Sequence, residues 1–263
     1  MSIYNLGDRR HRAVRPSPIF LAIVALTAAG GVVAWQAADS IEPLAYVGVF
    51  VLVIAGWVVS LCLHEFAHAF TAWRFGDHGV AMRGYLTLNP RLYTHPVLSL
   101  LLPILFIALG GIGVPGGAVW VRTDFMTKWQ KTIVSLSGPF TNIAFAVILL
   151  VLTAVFYTPE HSVFWAGMAF SGFLQVTAVV LNLLPVPGLD GYSALEPHLS
   201  PDTQRALNPA KQWGLFVLLI LFIATPLSQY FFSVVTWFVD LSGVDRFLVG
   251  DGLRLTQFWS AWL

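Results

Sequence analysis

The chain has 263 residues, 57% of them hydrophobic and only 10% charged, with a net charge of +1 and a mean hydropathy of +0.76. That balance is far from a soluble domain and describes a protein built for a membrane, and a net charge so close to zero gives no argument for nucleic acid or an acidic partner. With Cys62 as its single cysteine, the chain has neither a disulfide framework nor a cysteine-rich zinc site.

In chain order, Arg9, Arg10, Arg12 and Arg15 precede an apolar stretch over 18–35 that imitates a signal peptide. The stretch is long enough to span a bilayer and no convincing A-x-A site follows, so a retained signal-anchor helix over 17–35 is expected. A short acidic loop with Asp39 and Glu42 leads to a second span, 44–73. Residues 97–109 are thirteen apolar residues interrupted by Pro103, too short for an ordinary span and of re-entrant length. A glycine-rich turn over 110–117 follows, containing Gly111, Gly113 and Gly117, then Val119 and the cations Arg122, Lys128 and Lys131. A full crossing of 97–109 would put those cations on the side opposite Arg74, Arg83 and Arg91, against the positive-inside rule; re-entry avoids this, and a distorted but complete span is the alternative. Further spans are expected over 132–157 and 163–184. The last apolar stretch, 213–239, is broken by Pro226 and reads as one kinked helix or as a helix plus an interfacial piece. No internal repeat, low-complexity segment or soluble domain is apparent. The expectation is one integral-membrane domain over 1–263, all-α and polytopic, with about five to six transmembrane segments.

The chemistry begins with His64-Glu65-Phe66-Ala67-His68, an HExxH motif. Residues 43–73 contain one acid, Glu65, and no Lys or Arg, and ionisable groups at membrane depth mark function by default. Spacing of i, i+4 stacks His64 and His68 on one helix face, where both imidazoles can hold one zinc ion. Glu65 is turned about 60° from His68, at roughly 100° per residue, and can reach an attacking water as general base. A chance polar cluster is the competing reading. At 1.5 Å per residue, His68 and His64 lie about 9 and 15 Å before Arg74, inside the membrane but close to one face. The arginine-rich N-terminus lies on the same face, which the charge rule makes cytoplasmic.

Zinc on two histidines needs a third protein ligand and an open position. Asp8, Asp39, Glu42 and Glu160 lie in terminal or loop segments, and Asp77, in the turn after the HExxH helix, is expected to point to water. Asp190 ends an inbound span on the same face, where Pro185, Pro187 and Gly188 unwind the backbone. Irregular backbone at that depth is tolerated where it lines a cavity or is buried in protein. Asp190 is therefore the candidate ligand, with an aspartate that merely caps a loop as the alternative.

Three runs resemble the site-2 protease family of intramembrane zinc metallopeptidases: HEFAH at 64–68, Asn182-Leu183-Leu184-Pro185-Val186-Pro187-Gly188-Leu189-Asp190-Gly191, and Ser137-Gly138-Pro139-Phe140-Thr141-Asn142. Gly84-Tyr85-Leu86-Thr87-Leu88-Asn89-Pro90 is similar to a run of the small prokaryotic branch. The resemblance covers a core of about 44–192. It implies that His64, His68 and Asp190 hold one Zn2+, that Glu65 activates water, and that Asn182 orients substrate or stabilises the oxyanion. It also implies that 97–121 is a re-entrant, partly β-hairpin region, in which Gly111, Gly113, Gly117 and Val119 would hold an unwound substrate by β-augmentation. Where close relatives would carry an acid before the proline of that segment, this chain has Thr94-His95-Pro96, which leaves open an approach of His95 to a metal. The implied protein is a multi-pass enzyme of a prokaryotic plasma membrane, with its N-terminus and active-site mouth cytoplasmic, cleaving a transmembrane protein substrate. A non-catalytic helix-binding member of the same scaffold would lack the acid that Glu65 supplies. A metal transporter would scatter polar groups along several spans rather than gather them near one face.

Overall fold

A computed structural model describes residues 14–93, Ile107 and 119–261. The described residues form helices, turns and no strand. We name the helices α1 (Pro18–Gln36), α2 (Pro43–Arg74), α3 (Lys128–Phe156), α4 (Ser162–Asn182), α5 (Asp190–Leu195), α6 (Pro201–Leu207), α7 (Gly214–Ala224), α8 (Leu227–Asp240) and α9 (Arg246–Thr256). Short helical turns at Gly79–Met82, Tyr85–Thr87 and Pro90–Tyr93 follow α2.

Four stretches are long and apolar enough to cross a membrane: Pro18–Gln36, Pro43–Arg74, Lys128–Phe156 and Pro159–Asn182. A fifth arises if Pro201–Gln212 and Gly214–Ala224, bent by 67°, make one broken span. The described residues thus support four to five crossings where about five to six were expected. The apolar stretch with Pro226 resolves into two helices, α7 and α8, interrupted at Thr225 and Pro226, because proline withholds its N–H and disfavours helical backbone at the residue before it. The expected re-entrant region falls almost wholly outside the described residues, as do His95, Gly111, Gly113 and Gly117. Val119 and Val121, at its end, are non-helical and carry no strand.

Local signals explain the helix ends. Ser17 caps α1 through Phe20 N–H, and a capping box pairs Thr127 with Gln130 at the start of α3. After α2, Gly76 takes φ +108°, a left-handed conformation open to glycine, and turns the chain back along the helix. Ser17 N–H then donates to the Thr87 carbonyl at 2.7 Å, bringing the start of α1 beside the segment that follows α2. Arg15, Arg74 and Arg83 therefore occupy one end of the molecule.

α2 packs against α1, α3 and α4, and α9 packs against α4 and α2. One apolar core joins Val49, Val53 and Trp57 of α2 to Phe170 and Leu174 of α4, with Ile107 fully buried among them. A second joins Leu150 of α3 and Leu181 of α4 to Phe231 and Val235 of α8. Long apolar side chains still face outward on α3 and α7, for instance Phe140 and Ile220, as lipid-facing helices require.

Candidate metal centre

His64 and His68 project from the last third of α2 toward α3 and α5. Both are buried, and their Nε2 atoms face each other at 3.1 Å. Asp190, the first residue of α5, reaches them from the other side, with Oδ2 at 3.2 Å from His64 Nε2 and Oδ1 at 3.5 Å from His68 Nε2. Taking one oxygen of the carboxylate, the three ligand atoms lie within 4.8 Å of one another. Among the described residues this is the group of His, Cys, Asp and Glu that could hold a metal ion.

The hydrogen bonds behind the rings set their tautomers. His68 Nδ1 lies 2.7 Å from the Val134 carbonyl of α3, which can only accept, so the ring donates from Nδ1, and in the neutral ring the lone pair sits on Nε2. His64 Nδ1 meets Asn142 Oδ1. The Asn142 amide is oriented in turn, since its Nδ2 donates to Gln175 Oε1 at 2.7 Å, and Ser60 Oγ donates to the same oxygen at 2.9 Å. Asn142 therefore presents its carbonyl to His64, and in the neutral ring the lone pair of His64 is likewise on Nε2. Partners of this kind set tautomer and ring orientation in metal sites.

Two facing imidazole nitrogens beside a carboxylate define a hollow whose donor set suits one cation. Nitrogens about 2.0–2.1 Å from a tetrahedral zinc stand about 3.3 Å apart, close to the separations found here. Gly138 keeps the hollow open: a Cβ at that position would lie 2.3 Å from His68 Nε2 and 2.5 Å from His64 Nε2. Pro139 follows directly, and a proline inside a helix perturbs the turn before it, the turn that offers the Val134 carbonyl to His68. The donor set and the space both fit one zinc ion.

Asp190 is placed by backbone shape. α4 ends at Asn182, just before the run with Pro185 and Pro187; Gly188 takes φ +98°, and the chain re-enters a helix at Asp190. A Cβ on Gly188 would lie 2.4 Å from the Lys211 carbonyl, and one on Gly214 only 1.8 Å from the Pro187 carbonyl. The start of α7 thus presses on the loop that carries Asp190, and Lys211 bridges across to Glu196 at 2.6 Å.

Glu65 is buried beside the histidines, and its Oε2 accepts a hydrogen bond from Val119 N–H at 3.0 Å. Asn182 is buried in the last turn of α4 and makes none of the hydrogen bonds seen to the two imidazoles or to Asp190. The asparagine that meets a ligand is Asn142, a position the SGPxxN run contained without revealing its role. Gln175 and Ser60 belong to none of the motifs; a glutamine inside an apolar span is the signal the sequence offers for them. Asp77 does not face water as expected: it is buried and accepts from three donors, because folding of the chain back along α2 brings N–H groups and a guanidinium onto it.

Residues 50–164 match the model of peptidase family M50, a match that covers the HExxH motif and ends before Asp190. Two relatives share the name "Putative zinc metalloprotease Rip2". That of Mycolicibacterium smegmatis is 67% identical over 95% of this chain and 97% of its own length, and that of Mycobacterium tuberculosis H37Rv is 64% identical over 96% and 98%. A similarly named protein of Bacillus subtilis, YwhC, is 34% identical over 73% of this chain and 86% of its own. No solved structure matches. Identity of this extent, on a multi-pass chain whose two buried histidines and half-buried aspartate could hold one zinc, shows that it belongs to peptidase family M50, the site-2 proteases, and is a zinc metalloprotease.

Proposed function

We propose that this chain is an intramembrane endopeptidase, hydrolysing a peptide bond within or near the transmembrane segment of another membrane protein. The observation that carries the reading is the depth of the ligand cluster: His64 and His68 lie about 15 and 9 Å before the end of α2, at 1.5 Å per residue, in a helix whose carboxylate is Glu65 and whose one Lys or Arg is the terminal Arg74. His64, His68 and Asp190 would hold the zinc, which would supply a Lewis acid for the scissile carbonyl and for the attacking water. Glu65 takes the proton as the water oxygen attacks the scissile carbonyl carbon, then hands it to the nitrogen as the C–N bond breaks. Asn142 and the Val134 carbonyl hold the imidazoles in the ligating tautomer, and Asn182 orients the substrate or its developing oxyanion. The whole chain acts as one membrane domain with a core of about 44–192, an anchor helix over 17–35 and a trailing apolar segment over 213–240. The membrane is a prokaryotic plasma membrane. The positive-inside rule supports a cytoplasmic placement for the end nearer the ligands, where Arg15, Arg74 and Arg83 gather.

The test is purified protein in lipid with single-span substrates, read for bound zinc and for cleavage. Wild type should carry one zinc and cut within the apolar segment. Glu65→Gln should keep the zinc and lose at least about 100-fold in rate, since the amide cannot accept a proton. Cleavage confined to soluble loops would sink the intramembrane assignment, and a zinc-loaded wild type inactive on every membrane substrate would favour a helix-binding scaffold.

A further inference from the structure

Asp77 and Arg83 lie outside the ligand cluster, yet they control the residue that touches Glu65. Asp77 stands in the turn after α2, almost wholly buried. Its Oδ1 accepts from Gly79 N–H at 3.0 Å, and its Oδ2 accepts from Arg122 N–H at 2.8 Å and from Arg83 Nη2 at 3.3 Å. Arg83 Nη2 also donates to the Trp120 carbonyl at 3.0 Å, and the guanidinium lies over the Trp120 ring, 4.8 Å from its centroid. One carboxylate therefore grips the non-helical segment 119–122 at two points, directly at Arg122 and through Arg83 at Trp120. Val119 N–H, one residue before the second grip, is the donor 3.0 Å from Glu65 Oε2. The side chains of Val119 and Val121 pack with Val80 and Leu86 on the α2 side of the segment, so the strip is held on that face as well.

We propose that Asp77 and Arg83 are positioning residues for Glu65, clamping 119–122 so that Val119 N–H fixes one oxygen of the Glu65 carboxylate and leaves Oε1 as the proton acceptor. This rests on the reading of Glu65 as the base. A buried ion pair adds little to stability once desolvation is counted, so stability alone gives a weak reason for an aspartate here. Geometry gives a better one. A glutamate has three rotatable side-chain bonds, and misplacement of a reacting group by about 1 Å can lower a rate about 100-fold. An N–H on a segment pinned at both Trp120 and Arg122 removes that freedom without touching the metal ligands.

The test uses the full-length protein in lipid, with kcat, KM, zinc content and thermal midpoint measured for Asp77→Asn, Arg83→Gln, Val119→Pro and the double variants. Asp77→Asn removes the charge and one acceptor; Arg83→Gln leaves the Asp77 bonds to Gly79 and Arg122 but cuts the link to Trp120. Each should lower kcat about 10- to 100-fold with KM and zinc content unchanged. Arg83→Lys, which keeps the charge and one donor, should recover part of the loss. Val119→Pro deletes the N–H itself, so adding Asp77→Asn to it should cost little more, whereas a merely structural clasp would give additive losses. Should Asp77→Asn fail to fold, Arg83→Gln carries the test alone. Wild-type kcat in a folded Arg83→Gln protein, additive losses with Val119→Pro, or activity falling only in step with zinc would overturn the proposal while leaving Glu65 as base. An active Glu65→Gln variant would instead remove the reading on which it rests.

Discussion

The two sides of the ligand cluster are built on different principles. On the α2 side, two histidines one turn apart share a continuous helix, and their rings are set by polar contacts to α3: Asn142 Oδ1 for His64 and the Val134 carbonyl for His68. On the Asp190 side the described residues form no such relay. The aspartate follows a proline-interrupted turn held where backbone carbonyls of Pro187 and Lys211 come too close to Gly214 and Gly188 for any Cβ to fit. Side-chain hydrogen bonds can be weakened one at a time, so the α2 side should respond in steps. Backbone contacts of this closeness have no intermediate, so the loop side should respond to one methyl group as to a break.

Removing a ligand has the largest expected effect and tests the comparison at its root. Asp190→Ala and His64→Ala should each reduce bound zinc to near background, because three protein ligands leave none to spare. Full zinc occupancy in Asp190→Ala would mean that the loop side contributes no ligand. Gly138→Ala should come close behind. Its Cβ would fall between the two Nε2 atoms, so zinc content and activity should drop at least about 100-fold while helical content is kept. Gly56→Ala is the control, since a Cβ there meets only Thr27 Cγ2 at 3.5 Å. If both alanine variants hold zinc equally, the hollow is not where the three ligand atoms place it.

Gly188→Ala probes the loop side. The new Cβ would meet the Lys211 carbonyl at 2.4 Å and must also adopt φ +98°. We expect a lower thermal midpoint together with about 10- to 100-fold weaker zinc binding, because the strain moves the loop bearing Asp190. Weaker stability with unchanged zinc affinity would separate the loop's fold from its grip on the ligand and erase the contrast between the two sides.

The same division decided what could be read from the sequence. The expected spans 18–35, 44–73, 132–157 and 163–184 lie within a few residues of α1, α2, α3 and α4, since long apolar runs bounded by proline or charge leave little choice. α3 begins earlier than expected, at Lys128, because the Thr127–Gln130 capping box outweighs the cations in its first turn. His64 and His68 meet by helical periodicity, a local property. Asp190 stands out in the sequence by the proline- and glycine-broken backbone that carries it and by the run that resembles the family's signature. The pairing of His64 with Asn142 joins residues 78 positions apart, and nothing in either neighbourhood encodes it. Asp77 was misjudged because an acid in a polar turn ordinarily faces water. Its burial depends on Arg122, 45 residues on, arriving with an N–H to offer.

The smallest expected effect lies farthest along the α2 relay. Asn142→Ala removes the acceptor of the His64 Nδ1 proton and lets the ring change tautomer or turn; loss of such a partner lowers metal affinity about 10- to 100-fold. Gln175→Leu leaves Asn142 in place and removes only the acceptor that orients its amide. Asn142 Nδ2 retains Ser60 Oγ at 3.4 Å, so the amide stays turned in most molecules and the loss should be only about 3-fold. Combining the two should add nothing to Asn142→Ala alone, because Gln175 acts on the ring only through that amide. Competition with a zinc chelator reads all three affinities without reference to substrate or turnover. Equal losses in Gln175→Leu and Asn142→Ala would mean that the polar network tunes the site as one cooperative unit. The α2 side would then break as sharply as the loop side does.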